Sequence, residues 1–272
     1  HPCLLVAPNN TGFASEDLAL LRASAACDIQ KHSPLAERLG CPLLVPLFPR
    51  PPQGGDNLYL HALTRESLEV SRAEWKRVDL QLLGMIDDAR ARLSGKGKAL
   101  GPKVLLWGFS ASGSFVNRFA MLHPERVLAV ACGSPGGWPL APAMELEGER
   151  LPYPVGIADL KTLVGTTPDW TALRAVPWFF FLGEKDANDA VPFRDSFSEA
   201  DEACINRRFG TTLAGRWRQA ETLYAGKGLD ARFSLYPGAA HAVTPEMESD
   251  IARFFEARLA TIPPADHGRL AR

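Results

Sequence analysis

No apolar run in the 272 residues approaches the roughly 20 that a membrane-spanning helix needs, so no membrane span is expected. Positive charge is not in excess either, with 30 Lys and Arg against 31 Asp and Glu and a formal net charge of −1. A general nucleic-acid binder needs a positive surface field to collect phosphates, so nucleic acid is not expected as a partner. The sequence holds no internal repeat and no low-complexity tract. Its cysteines (Cys3, Cys27, Cys41, Cys132, Cys204) are scattered, with no CxxC pair and no Cys/His cluster of zinc-like spacing. They read as buried thiols; were the protein exported, Cys27 and Cys41 would be the pair expected to bridge. His32, His61, His123 and His267 show neither HExxH nor paired-His spacing, so no metal is assigned, and His123, just before Pro124, reads as structural. The chain begins at His1, directly in a strand-like segment, which implies that something upstream has been removed.

What the sequence does have is apolar content, 46% of its residues, enough for a sizeable core. A chain of this length is expected to fold as one domain, 1–272, burying about three quarters of its unfolded surface. Short continuous apolar segments recur at Leu4–Ala7, Leu43–Val45, Val104–Trp107, Val127–Ala131 and Trp178–Leu182, the pattern of strands covered on both faces. Amphipathic stretches lie between them. Trp75, Val78, Leu82, Met85, Ala89 and Leu93 mark one helical face, and Thr244 and Pro245 open a last helix with Met247, Ile251, Phe254 and Leu259 on its stripe. Strand then helix, repeated, predicts an α/β protein with a doubly wound, mostly parallel sheet. Two regions break the rhythm: a Pro/Gly-rich loop at 46–57, and an irregular insertion at 133–176 expected to act as a lid or pocket wall.

Gly108-Phe109-Ser110-Ala111-Ser112-Gly113 follows the third of these strands and opens a helix with Phe115, Val116, Phe119 and Leu122 on one face. A strand, a tight glycine-bounded turn, a serine and a helix make the setting of a nucleophile elbow. Such a turn forces strained backbone angles on the serine, so residues two positions to either side must be small. The helix that follows aims its amides and the positive end of its dipole at a developing oxyanion, with the Ala111 N–H as one donor. Ser112 stands where G-x-S-x-G has its second glycine and, being small, is a tolerated variant. A phosphate-cradling turn fits less well, because neither G-x-G-x-x-G nor GK[ST] is present.

Partners for Ser110 follow in order. Asp186 comes three residues after Gly183, where the chain leaves the strand Pro177–Leu182, and His241 sits in the small-residue loop Pro237–Ala240 after the strand Ala231–Tyr236. This is the order of a Ser-Asp-His triad, in which His241 takes the Ser110 proton and Asp186 holds the imidazole. Taken singly, Ser110 is a helix cap, Asp186 a turn residue and His241 a loop histidine. Their conjunction, each in its required element, favours the triad, with Asp189 the rival for the acid.

These stretches (Gly108–Gly113, Gly183–Asp186 and Gly238–His241) resemble the α/β-hydrolase superfamily, most of all bacterial esterases and polyester-depolymerase-like members. The resemblance spans nearly the whole chain and implies a cofactor-free acyl-enzyme mechanism on a small or polymeric ester. It also inclines localisation toward secretion or the periplasm. Two departures stand out: the antiparallel strands usual before the first parallel strand are missing, and Pro8-Asn9-Asn10-Thr11-Gly12 replaces the family's His-Gly oxyanion segment. The resemblance assigns the second oxyanion donor to Asn10 or Thr11.

Phe13 and Trp138 are expected either to line the substrate pocket or to pack in the core. Arg207-Arg208 and Arg216-Trp217-Arg218 read as a solvated surface paired with nearby acids. The expectation is therefore a serine esterase. Its rivals are an amidase, peptidase, thioesterase or acyltransferase with the same triad, or a non-catalytic binding protein on this fold. Acyl and alcohol specificity and oligomeric state are left open.

Overall fold

In the computed structural model six parallel strands form the main sheet: β1 (Leu5–Val6), β2 (Leu43–Leu44), β3 (Val104–Phe109), β4 (Val127–Gly133), β5 (Trp178–Gly183) and β6 (Ala231–Tyr236). Residues 3–10, 12–52 and 58–262 are described; Thr11, residues 53–57 of the Pro/Gly-rich loop and His267 lie outside them. The strand order is β2-β1-β3-β4-β5-β6. The longer helices are α1 (Leu18–Leu39), α2 (Val78–Ser94), α3 (Ala111–Leu122), α4 (Glu199–Phe209), α5 (Leu213–Gly226) and α6 (Pro245–Leu259).

The period-2 alternation of the strands divides the core into two layers. Leu105, Trp107, Phe179 and Phe181 point to the face covered by α1 and α6, where Leu39, Met247, Ile251 and Phe255 meet them. Val104, Leu106, Trp178 and Phe180 point to the other, against Leu82, Ile86, Phe115, Phe119 and Tyr224 of α2, α3 and α5. This double coverage is why the strands are continuous apolar runs rather than alternating ones. The chain passes from β1 through α1 to β2, then returns to place β3 on the other side of β1. That reversal makes the carboxyl ends of β1 and β3 a topological switch point, the place where ligands of open α/β sheets characteristically bind.

Local signals set the helix ends. The Thr244 hydroxyl accepts from the Met247 amide at 3.3 Å, with Pro245 in the first turn of α6. Asp17 caps α1, and Gly40 ends it in the left-handed conformation (φ 62°). At the end of α3, His123 Nε2 meets the fully buried Asp79 carboxylate at 2.9 Å, a structural role.

Several expectations need correction. Strand β1 spans two residues rather than Leu4–Ala7, and Trp75 lies in the turn before α2, because helical backbone begins only at Val78. Cys41 has Cys3 as its neighbour, Sγ to Sγ 3.8 Å, because β1 and β2 bring those two together; Cys27 is exposed on α1, and all five thiols are free. Arg216 is not a surface residue: its side chain is fully buried and ion-paired with Asp189. Arg207 and Arg208 find Glu149, in an antiparallel ribbon (Glu145–Leu146 with Glu149–Arg150), rather than the acids of their own helix. The 133–176 insertion is built into the body. Leu140, Tyr153, Ile157 and Leu160 join one core cluster, and Trp138, Leu151 and Val155 join another with Ile205 and Phe209 of α4.

Candidate active site

Ser110 stands between β3 and α3 with φ 61° and ψ −126°, a conformation that costs a non-glycine residue about 1–3 kcal/mol and persists only where its surroundings over-determine it. Those surroundings are specific. The Ser110 amide donates to Gly133 O at 2.9 Å, and the Ser114 amide to Ser110 O at 3.0 Å. A Cβ on Gly108 would fall 2.2 Å from the Ser112 carbonyl oxygen, so the turn closes only with glycine there. Ser112 does more than stay small. Its hydroxyl accepts from the Phe109 amide at 3.0 Å and donates to the Phe109 carbonyl at 2.9 Å, sealing the elbow. Ala111 is the first residue of α3, so its N–H is among the first-turn amides with no acceptor inside the helix.

The candidate acid and base, Asp186 and His241, come from adjacent loops that backbone bonds tie together. After β5 and β6 part, the Glu184 amide donates to Tyr236 O at 2.9 Å and the Lys185 amide to Ala239 O at 2.8 Å. The Gly238 amide donates to the Glu184 carboxylate at 3.0 Å. The loops approach so closely that a Cβ on Gly183 would lie 2.4 Å from Ala239 O and 2.5 Å from Ala240 O. This clamp brings His241 Nδ1 to Asp186 Oδ2 at 2.9 Å and Oδ1 at 3.1 Å. Burial pushes the Asp186 carboxyl up, but hydrogen bonds from His241 and the Asn188 amide outweigh it and leave the group below the ordinary aspartate value. An ionised, acceptor-only carboxylate fixes the imidazole proton on Nδ1 and leaves the lone pair on Nε2. The His241 ring packs on the Phe109 ring, centroids 4.8 Å apart, which sets it beside the elbow.

On the opposite side of Ser110 the loop after β1 is held by side chains. Asn9, fully buried, clamps the loop after β2 through Phe48: its amide donates to Phe48 O at 2.9 Å and its carbonyl accepts from Phe48 N at 3.0 Å. The Asn10 side chain reaches over β3 and donates to Phe109 O at 3.2 Å. Asn10 therefore sits directly against the residue preceding Ser110.

The other candidates fall apart from this cluster. Asp189 caps the short helix Ala190–Phe193 through Oδ1 and pairs with buried Arg216 through Oδ2, so both of its carboxylate oxygens are engaged there. Trp138 is enclosed, 1% exposed, stacked on Phe209 and donating to Val155 O at 2.8 Å, so it packs in the interior rather than facing an open pocket. Phe13 is 39% exposed on the loop after β1. One residue escaped sequence reasoning: Asn188, whose Nδ2 lies 2.8 Å from His241 Nε2 and whose amide donates to Asp186 Oδ1 at 2.9 Å. Only its place two positions past Asp186 could have flagged it. Among the described residues no group of three His, Cys, Asp or Glu side chains is arranged to hold a metal, and no helix is long and apolar enough to cross a membrane. A separate cleft of about 310 Å³ between α1 and α6, floored by Trp107 and walled by His32, Leu35 and Ile251, is lined by none of the triad candidates.

No family model matches the chain, and no curated protein does. Solved structures do. The chain is similar to the poly(3-hydroxybutyrate) depolymerase LpqC from Bordetella parapertussis, with TM-score 0.61, 22% identity, and 97% of this chain and 84% of that one covered. It is also similar to poly(aspartic acid) hydrolase-1 from Sphingomonas sp. KT-1, with TM-score 0.57, 18% identity, and 94% and 86% covered. At these identities the likeness is one of fold, and that fold is the α/β-hydrolase fold.

Proposed function

We propose that the protein is a serine hydrolase that cleaves carboxylic esters through an acyl-Ser110 intermediate. The observation that carries this reading is the Asp186–His241 pair, clamped between two strand ends and packed by its imidazole on Phe109, the residue before a strained Ser110. In the reaction Ser110 Oγ attacks the ester carbonyl carbon while its proton passes to His241 Nε2. The tetrahedral oxyanion is met by the Ala111 amide and by an amide of the loop after β1, at Asn10 or Thr11. Collapse of that adduct breaks the C–O bond to the alcohol, which leaves with the proton from Nε2. Water, deprotonated by the same nitrogen, then attacks the acyl-enzyme; the acid departs and Ser110 regains its proton. Asp186 stays ionised throughout, which stabilises the imidazolium. Phe13, exposed beside the oxyanion loop, is the aromatic that lines the substrate pocket.

The polyester cleaved by the depolymerase supports an ester as the scissile bond, whereas the polyaspartate named for the second structure would favour an amide. A panel of matched ester, amide and thioester substrates decides between them. The elbow itself is tested with a fluorophosphonate probe mapped by mass spectrometry, alongside turnover of p-nitrophenyl acetate, butyrate and octanoate. The expected result is an adduct on Ser110 with ester turnover, both abolished by Ser110→Ala. Labelling that survives in Ser110→Ala overturns the nucleophile assignment, and folded protein that takes no label puts the non-catalytic reading first.

A further inference from the structure

Asn188 binds both members of the acid–base pair. Its backbone N–H donates to Asp186 Oδ1, and its side-chain amide reaches His241 Nε2 at 2.8 Å. With the imidazole proton held on Nδ1 by the Asp186 carboxylate, Nε2 carries the lone pair and the Asn188 Nδ2–H is the donor. That lone pair is the one that must accept the Ser110 proton if the reading above holds. It is already engaged, and no hydrogen bond joins Ser110 Oγ to another described residue.

We infer that Asn188 is a positioning residue that holds the His241 base off Ser110 in the free protein and is displaced when an acyl group occupies the site. The inference rests on His241 acting as base for Ser110. The two hydrogen bonds of Asn188 have different characters. The backbone bond belongs to the turn after β5 and persists whatever the side chain does. The side-chain bond is made by an exposed residue, so the carboxamide can rotate into water without leaving a buried polar group unpaired. Asn188 also borders a small hollow with Ser134, Leu182 and Trp217, so its alternatives are not confined to the imidazole. Breaking one neutral hydrogen bond of this kind slows acylation about three- to tenfold relative to a base that is free. The arrangement keeps the resting serine weakly activated until substrate competes for the site.

The groups around the ring are Asp186 and Asn188 from the loop after β5 and Phe109 from β3; Glu184 of the same loop is engaged by the Gly238 amide, and Asp189 by Arg216. The Asn188→Ala variant keeps the backbone donor to Asp186 and removes only the amide on Nε2. Its second-order rate of Ser110 labelling by the fluorophosphonate is expected to rise about three- to tenfold above the parent. The Asn188→Asp variant replaces a donor with a carboxylate that pairs only with the protonated ring. It is expected to slow labelling at neutral pH and to move the acid limb of the labelling profile upward by about one unit. A purely structural Asn188 would make both variants slower with an unmoved profile. A parent that labels at Ser110 with Asn188→Ala no faster overturns the inference and leaves the proposed function standing. A parent that takes no label at Ser110 overturns both.

Discussion

On one flank of Ser110 the Asp186–His241 pair hangs from β5 and β6, which pair in register over six residues; on the other, the loops after β1 and β2 leave strands paired over two. The first flank takes its geometry from the backbone. Ladder bonds continue past the strand ends into the loops, and the side chains of Asp186 and His241 have little left to decide. On the second, side chains do what the short ladder cannot. Asn9 mimics a strand neighbour by bonding both ways to Phe48, and Asn10 reaches across to Phe109. Backbone bonds between these two loops are the Asn9 amide to Pro46 O, long at 3.4 Å, and the isolated bridge between Ser15 and Arg50. Under the proposed function this division makes sense: proton transfer tolerates little displacement, whereas loops that meet the substrate can vary with it.

The comparison breaks first, and hardest, at Gly183. In Gly183→Ala the new methyl has two backbone carbonyls within 2.5 Å and no flexible side chain to push aside, so the His241 loop must move as a unit. The expected outcome is a loss of about 100-fold in kcat/KM for p-nitrophenyl esters, since misplacing a catalytic group by an ångström costs that much. Thermal unfolding should report a stability loss of about 1–3 kcal/mol alongside it. Near-parental turnover would show that the backbone clamp is not what positions the base.

On the other flank the sensitive point is a side chain. Asn9→Ala leaves the Phe48 amide and carbonyl without their partner in a buried site, and urea unfolding should register a loss of about 2–3 kcal/mol. If the loss is under about 0.5 kcal/mol, water serves the loop as well as Asn9 does, and the contrast between the flanks fails.

The difference between the flanks also explains what could be foreseen from sequence. The apolar runs at Val104–Trp107, Val127–Ala131 and Trp178–Leu182 are strands because both of their faces are covered, and such runs need no knowledge of neighbours. The places of Ser110, Asp186 and His241 beyond strand ends could be read from sequence: Ser110 directly follows β3, Asp186 comes three residues after β5 and His241 five after β6, a strand only partly covered. The trimmed β1 and β2, the enclosure of Trp138 and the burial of Arg216 were not legible, because each depends on a partner distant in sequence. Trp138 is closed in by Phe209 and Val155, Arg216 is drawn inward by Asp189, and Cys41 meets Cys3 only once the first two strands pair. Asn188 lay hidden for a related reason: an asparagine in a turn is ordinary until the loop bearing His241 is folded against it.

Between the flanks, α3 carries the elbow at one end and His123 at the other, and Asp79 of α2 anchors that far end. Burial pushes the Asp79 carboxyl up, yet hydrogen bonds and charge from His123 and Arg77 prevail and bring it down to about 2. A depressed carboxylate stabilises the fold above its unfolded value of about 3.9 and loses that contribution as pH falls through the folded value. The expected signature is about 2 kcal/mol of stability lost between roughly pH 4 and pH 2, absent in Asp79→Asn, which is less stable at neutral pH. Equilibrium unfolding of both proteins across that window measures it. Parallel pH curves would mean that the anchor of α3 does not depend on the Asp79 charge.

The smallest effect is expected at Phe13, on the flank of the loop after β1, where a residue can matter to substrate without mattering to the fold. Its ring is 39% exposed, so Phe13→Ala should leave stability within about ±0.5 kcal/mol. If the ring lines the acyl pocket, removing it takes away apolar contact that a longer chain feels and acetate does not. Turnover of the octanoate ester should then fall a few-fold relative to the acetate ester, the equivalent of about 1 kcal/mol of buried apolar surface. Trp138 serves as the contrast, since it is already enclosed and hydrogen-bonded and offers the substrate no surface. An unchanged octanoate-to-acetate ratio in Phe13→Ala would move the pocket away from the loop after β1. The side-chain-built flank would then serve only to hold the oxyanion amide, leaving acyl selection to other walls of the site.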